Sequence, residues 1–527
     1  MKTLWTFIVI FGLLLISGCN GTNITEQPTI QPIESAAQAT VTNIKTDSLS
    51  EHPTGTPHPL PAFEPSTCQF INAYRLNAEC GYLIVPEDRA QPDGPTVRLH
   101  VAIFRSTSSN PEPDPVIYLA GGGGANHLDS SGYYLNNGGY EILETRDYVM
   151  YNQRGAHYNQ PSLSCPNYSD FLGDLAGQNL NNEVYHARKL EFLFDCRDKL
   201  LDRGINLNMY NSAVNAADLN DLRIALEYDQ VNLYGTSYGT RLALTMMRDY
   251  PESVRSVIID SVFPPPVNYF SEFGANAYLA FTKLFISCAE DDPCNNTYPN
   301  LETVFYQVID KLNNDPASLT WIDDTIFFNG GVFSEAIYLM LYTAEIGHAP
   351  KAIYEASKGN FSDIEPFVLG ALEITTASIN WGAYYSIHCS EEALLDSFDH
   401  AIELSADLPQ QINDYYLNTG PSAAVFNFAL CESWGVEAAD QIESEPIYSD
   451  IPALVLTGNF DPITPPEWAQ IAANTLSASF LYEFPTLGHG VMRSDKCAQE
   501  IGLQFILTPI IEPDASCMED LPALEFK

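Results

Sequence analysis

The stretch Val231-Asn232-Leu233-Tyr234-Gly235-Thr236-Ser237-Tyr238-Gly239-Thr240 limits what this chain can fold into more than any other. A short β-branched apolar run enters Gly-x-Ser-x-Gly, and a helical pattern begins near Arg241. A serine between strand and helix must sit in a sharp, strained turn, where a side chain two residues before or after it would meet neighbouring backbone. Gly235 and Gly239 meet that demand, so the segment predicts a strand–turn–helix corner with an exposed hydroxyl. Such a corner belongs to a sheet of parallel strands covered by helices.

The rest of the chain supplies that sheet. Apolar runs bounded by Gly, Pro or Asp predict strands at Tyr82–Val85, Val97–Phe104, Val116–Leu119, Asp147–Tyr151, Val231–Tyr234 and Val254–Ile259. After the first pair these alternate with helical patterns, which implies a largely parallel, doubly wound α/β sheet. From about Pro265 to Glu445 helical periodicity takes over, as in Leu301–Leu312, Phe333–Thr343 and Glu391–Leu404, and predicts an inserted helical cap. The sheet resumes at Ile451–Thr457 and Phe480–Phe484, with a helix from about Pro466 to Leu476 between them.

A serine hydroxyl is a poor nucleophile at neutral pH and needs a histidine to take its proton and an acid to orient that histidine. Downstream of Ser237 the chain offers Gly458-Asn459-Phe460-Asp461-Pro462 after one late strand and Leu487-Gly488-His489-Gly490 after the last. Ser237, Asp461 and His489 are therefore the expected catalytic residues. Asp260 also ends a strand and competes for the acid's place. The tetrahedral intermediate needs backbone donors. Ala120-Gly121-Gly122-Gly123-Gly124 follows the strand ending at Leu119, so the donors are assigned to the N–H of Gly122 and of Tyr238. A dinucleotide site is a poor reading of these glycines, because Asn126 stands at the third position of Gly-x-Gly-x-x-Gly. No HExxH or zinc-type CxxC pair occurs, and the chemistry requires neither metal nor organic cofactor.

The first residues read as an export signal: Lys2, the apolar run Leu4–Ile16, then Ser17-Gly18-Cys19. The run is shorter than the roughly 20 residues a bilayer core requires. Cys19 is the expected lipidated first residue of a protein anchored to the outer face of a bacterial membrane, at the cell surface or in the periplasm. Residues 20–67 are rich in Thr, Pro, Ser and Gln and read as a tether without a core of its own. The division is thus 1–19 signal and lipidation site, 20–67 tether, 68–264 first part of the α/β core, 265–445 cap, and 446–527 second part of the core. A formal charge of −43 argues against nucleic acid and anionic lipid headgroups as partners. Setting Cys19 aside, the 11 cysteines leave an even number, which suits disulfides in an exported chain. Spacing suggests local pairs, Cys68 with Cys80, Cys165 with Cys196, Cys288 with Cys294, Cys389 with Cys431 and Cys497 with Cys517, although sequence alone leaves the pairing open.

From Cys68 onward the chain resembles the exported α/β-hydrolase serine aminopeptidases related to proline iminopeptidase, particularly the tripeptidyl aminopeptidase group. The likeness rests on the glycine loop at Gly121, on Asp147-Tyr148-Val149-Met150-Tyr151-Asn152-Gln153-Arg154-Gly155, on Ala217-Asp218-Leu219 with Gly235–Thr240, and on Asp461-Pro462-Ile463-Thr464-Pro465 with Gly488-His489-Gly490. It implies a peptide substrate with a free amino terminus, whose ammonium group meets an acid of the cap. Glu391, with Glu392 second, is the candidate, in Ile387-His388-Cys389-Ser390-Glu391-Glu392. Two departures stand out. Members usually carry His-Gly-Gly-Pro-Gly or Pro-Gly-Gly-Pro-Gly where this chain has Ala120 and Gly123, and usually Asp where it has Asn152. The first bears on the rigidity of the loop. By the same comparison Arg154 is expected under the site as a structural residue. The rival readings are a carboxylic ester hydrolase, which shares fold and triad, and a surface-binding lipoprotein that does no chemistry.

Overall fold

A computed structural model describes residues 60–527 apart from 72, 323, 376 and 377. The signal, Cys19 and most of the expected tether lie outside the described residues.

The strands are β1 (Ala62–Ser66), β2 (Glu79–Pro86), β3 (Thr96–Phe104), β4 (Val116–Leu119), β5 (Tyr148–Tyr151), β6 (Val231–Ser237), β7 (Val254–Val262), β8 (Ala317–Trp321), β9 (Asp324–Phe328), β10 (Ala453–Gly458) and β11 (Ser479–Phe484). Nine of them form one sheet in the order β1-β2-β3-β5-β4-β6-β7-β10-β11. It is antiparallel from β1 through β3 to β5 and parallel from β5 onward. The sheet is buried on both faces, as strands joined by helical crossovers must be. Successive residues of β4 alternate between the two layers: Ile117 and Leu119 pack on one side, Val116 and Tyr118 on the other. The chain has the α/β-hydrolase fold.

The structure differs from the expected division in four places. β1 lies inside the segment read as tether; Phe63 packs its ring where a side chain on Gly81 would be, with Cζ 2.3 Å from that Cβ position. The helices Tyr168–Ala176 and Asn182–Asp202 enter between β5 and the helix Ser212–Ala225, and Leu172, Leu193 and Leu200 join the same apolar cluster as Phe281, Phe333 and Trp434. The cap is therefore built from two stretches of chain, and one of them lies within the region assigned to the core. It also contains an antiparallel hairpin, β8 with β9. The single helix expected over Glu391–Leu404 is two, a π-helical turn Cys389–Ala393 and a helix Phe398–Ser405 capped by the Ser397 side chain, which accepts from the His400 N–H.

Disulfides join Cys68 to Cys80, Cys165 to Cys196, Cys288 to Cys294, Cys389 to Cys431 and Cys497 to Cys517. Such bonds persist in oxidising surroundings outside the cytosol. Among the described residues no helix is long and apolar enough to cross a membrane.

Candidate active site

Ser237 ends β6 and caps the helix Tyr238–Asp249 with φ 58° and ψ −128°, a conformation a non-glycine residue adopts only under constraint. The glycines around it explain how the turn is made. A Cβ on Gly239 would lie 2.0 Å from the Leu119 carbonyl oxygen, and one on Gly235 would lie 2.5 Å from that of Gly239. The corner thus wedges between β4 and its own helix, and no larger residue fits at either position.

His489 follows β11 and is buried. Its Nδ1 lies 2.8 Å from Asp461 Oδ2. Asp461 is held by its own loop: the N–H groups of Ile463 and Thr464 donate to Oδ1 at 3.0 Å, and Thr464 Oγ1 donates to Oδ2 at 2.7 Å. Burial works to raise the Asp461 pKa, but His489 and the Thr464 donors outweigh it and hold the carboxyl below its ordinary range. Thr464 was not singled out from the sequence, although an Asp with a Thr three residues on is the signal of such a self-bonding turn.

Asp260, the competing acid, is engaged elsewhere. Its two oxygens accept from the N–H groups of Val491 and Met492 at 2.9 and 3.1 Å, while Ser261 Oγ accepts from Gly490 N at 2.7 Å. Those bonds tie the histidine loop to the end of β7, where Val262 pairs with Ser237. The loop that carries His489 is thereby fixed to the strand that pairs with the end of β6. Ser237 Oγ itself makes no hydrogen bond among the described residues, and free enzymes often close that contact only on substrate. The Tyr342 ring stacks on His489 with centroids 4.6 Å apart, and Arg493 Nη2 donates to the His489 carbonyl at 3.0 Å. The Tyr342 contact comes from a helix remote in sequence, while that of Arg493 is made within the histidine loop.

The glycine loop lies against the serine: a Cβ on Gly121 would be 2.8 Å from Ser237 Cβ. Gly122, Gly123 and Gly124 all have positive φ, at 72°, 22° and 82°. The N–H of Tyr238 opens the elbow helix and so has no partner within it. Gly121 of the loop thus abuts Ser237, and Tyr238 follows it in the chain.

Glu391 and Glu392 do not stand open to a ligand, which corrects the ammonium-binding role expected of them. Glu391 accepts from the N–H of Ser212 and, at 2.8 Å, from Ser212 Oγ, which is also 2.8 Å from the Tyr238 hydroxyl. It faces Arg241 Nε at 3.3 Å, an ion pair without hydrogen-bond alignment. Glu392 accepts from Arg241 Nη1 at 2.7 Å and from Tyr269 N at 2.9 Å. All three side chains are buried. Burial pushes Glu391 up and Glu392 up to about 8, with Arg241 opposing in both cases. Sequence spacing could not show this, because Arg241 approaches from the elbow helix, about 150 residues earlier. Arg154 is also fully committed, with its Nε and Nη2 on Asp218 at 2.5 and 2.7 Å.

A different cap carboxylate has no cation paired with it among the described residues. Glu335 lies on the helix Gly330–Tyr342; its Oε2 is shut off from solvent without a hydrogen-bond partner, and the Tyr416 hydroxyl is the group beside the carboxyl that opposes the effect of its burial. Burial pushes it up to about 8. Glu335, Tyr338 and Tyr342 share one helix face. Tyr338 is close enough to both Glu335 and Asp461 to feel their charges.

Two family models match parts of the chain. Residues 114–296 match the model described as alpha/beta hydrolase fold, and residues 420–517 match that described as TAP-like protein. The chain is 22% identical over 462 residues to serine protease Hip1 of Mycobacterium tuberculosis, covering 83% of this chain and 87% of that one. It is 28% identical over 195 residues to a tripeptidyl aminopeptidase of Streptomyces lividans, covering 36% of each. A solved proline iminopeptidase of Mycobacterium smegmatis superposes with a TM-score of 0.35 at 13% identity, over 81% of this chain and 98% of the other.

Proposed function

We propose that this chain, an α/β-hydrolase-fold enzyme whose C-terminal part is TAP-like, is a serine peptidase that removes short peptides, three residues long, from free amino termini. In this reading Ser237 attacks the scissile carbonyl, and His489 Nε2 takes its proton and returns it to the departing amine. Asp461 holds the histidine tautomer that allows this and supports the imidazolium that forms. The N–H groups of Gly122 and Tyr238 receive the oxyanion. Water then releases the peptide from the acyl-enzyme.

The observation that carries the exopeptidase part is the face of the helix Gly330–Tyr342. Tyr342 covers the ring of His489, and Glu335 sits seven residues earlier on the same face. Seven residues of helix rise about 10 Å. Three extended residues of substrate span about 10 Å as well. A tripeptide with its last carbonyl at Ser237 would thus bring its ammonium near Glu335, a cap carboxylate without a cationic partner among the described residues. Ion pairing with that ammonium would draw the Glu335 pKa down and charge it. Lipidation at Cys19 belongs to the same proposal and would hold the enzyme at an outer membrane face.

The test is turnover of chromogenic substrates carrying one, two or three residues with free amino ends, their acetylated counterparts, and short acyl esters. Preference for the free-amino tripeptide is expected, with Glu335→Gln raising its KM roughly tenfold, as loss of a buried ion pair does, and sparing the esters. Ester turnover alone would make the protein an esterase, and an equal loss on all substrates would remove Glu335 from recognition. For the anchor, Cys19→Ala should release the protein from the membrane fraction; unchanged association would defeat lipidation there.

A further inference from the structure

Four consecutive glycines, Gly121 to Gly124, form the backbone that must present an oxyanion donor, and glycine is the most mobile backbone there is. A donor is effective only if it is aimed before charge develops. The loop contains no proline, so its stiffness has to come from contacts. Three carbonyls of the loop are gripped by side chains, that of Gly124 by Asn380 Nδ2 at 2.9 Å. Gln153 Nε2 donates to the Ala120 carbonyl at 2.9 Å. His127 Nε2 lies 3.0 Å from the Gly121 carbonyl, and His127 Nδ1 lies 3.0 Å from the Tyr134 hydroxyl.

We infer that His127, oriented by Tyr134, is a positioning residue that aims the Gly122 N–H at the oxyanion. A carbonyl can only accept, so Nε2 carries the proton; Nδ1 of the neutral ring is then the acceptor of the Tyr134 O–H. Burial, together with the nearby Arg493, holds the ring at about 4 against the pull of the Gly121 carbonyl, so it stays neutral and in one tautomer near neutral pH. In the trans peptide between Gly121 and Gly122, C=O and N–H point in opposite directions. Fixing the Gly121 oxygen toward His127 therefore turns the Gly122 N–H away from it. The backbone of His127 is fixed in turn. Its N–H donates to Asn152 Oδ1 at 3.2 Å, while Asn152 Nδ2 donates to Asn126 Oδ1 at 2.9 Å and to the His157 carbonyl at 2.7 Å. An ionised aspartate at position 152 could make only the first of these bonds. The two departures from the family pattern, in the loop and at Asn152, are thus parts of one arrangement.

The inference rests on Ser237 being the nucleophile, and the experiment separates the two. The full chain and its His127→Leu, His127→Gln and Tyr134→Phe variants are assayed with p-nitrophenyl acetate and with a fluorophosphonate probe, alongside Ser237→Ala. Expected are a fall in kcat of roughly 10- to 100-fold in His127→Leu, less than outright deletion of a donor costs, with KM changed less than about threefold. Glutamine can place an N–H near the Nε2 position, so His127→Gln should recover most of the loss, and Tyr134→Phe should fall between. Fluorophosphonate labelling should slow in parallel, since its phosphoryl oxygen occupies the same donors. A labelled wild type with His127→Leu unchanged would overturn the positioning role alone, as would a glutamine variant no better than leucine. If His127→Leu does not fold, a Tyr134→Phe variant with wild-type kcat overturns it. A wild type that the probe does not label would overturn the Ser237 reading, and this inference with it.

Discussion

Asp461 and Asp260 are both buried at the ends of parallel strands, and what each accepts determines what each can do. Asp461 receives a histidine ring and its own loop; Asp260 receives two backbone N–H groups. In Asp461→Asn the remaining oxygen keeps the bonds from Ile463 and Thr464, and the new amide presents N–H to His489 Nδ1, selecting the wrong tautomer. We expect kcat to fall on the order of 10³- to 10⁴-fold with the melting temperature little changed. Asp260→Asn sets an amide against N–H donors in a buried site, so it should chiefly lower the melting temperature by loosening the loop that carries His489. Kinetics and thermal melts on the two variants check this, and equal kinetic loss at unchanged stability would contradict it. The serine, the acid and the histidine were legible because each sits in a local pattern of strand end plus turn. Glu335 and His127 were not legible: one is a single acid in a helix and the other a histidine just past the glycine loop, and neither sits in a motif that marks a role.

At the scale of elements, the helix Trp381–His388 and the π-helical turn after it link the cap to the glycine loop and to the elbow helix. Gly124 packs beneath this helix, where a Cβ would be 2.7 Å from Ala383 Cβ, and the turn delivers Glu391 and Glu392 to Arg241. Cys389, the first residue of the turn, is bonded to Cys431 in the helix Ala424–Glu432, closing a loop with a sequence separation of 42. A loop of that length constrains the unfolded chain by about 4 kcal/mol. Replacing both cysteines with serine should therefore lower the unfolding free energy by about that much, read from denaturant titration of wild type and variant. A loss below about 1 kcal/mol would show that the cap holds the turn without the bond. Strand positions and the elbow could be read from periodicity, whereas the break between Ala393 and Phe398 could not. There a side-chain cap at Ser397 competes with helix continuation, and packing decides the contest.

Across the whole molecule, buried ionisable groups set the pH response. Glu335 and Glu392 are raised to about 8 in the fold, so their favourable contribution is complete below the ordinary carboxylate range and is lost as pH rises through about 8. His100 and His127, held at about 4, and His388, at about 3, have the opposite sign: their contribution is complete above the ordinary histidine range and is lost as pH falls toward those values. The melting temperature should decline from the ordinary histidine pKa of about 6.5 toward pH 8, where only the raised carboxyls are still titrating. The decline should be shallower in Glu335→Gln, and an identical decline in that variant would show that Glu335 does not ionise there.

The amino-acid sequence by itself determined what depends on near neighbours along the chain: the alternation that makes the sheet, the glycines that permit the Ser237 turn, the strand-end placement of Asp461 and His489, and cysteines spaced for local pairing. Only the tertiary structure decided which carboxylates are spoken for. Arg241 pairs with Glu391 and Glu392 from a helix distant in sequence, whereas Glu335 has no cation paired with it among the described residues. It likewise decided that residues 163–210 pack with the cap and that His127 grips the glycine loop. A strand or a turn is selected by its own residues, but an ion pair or a shared apolar layer exists only once chain folding has paid the entropy of bringing distant segments together.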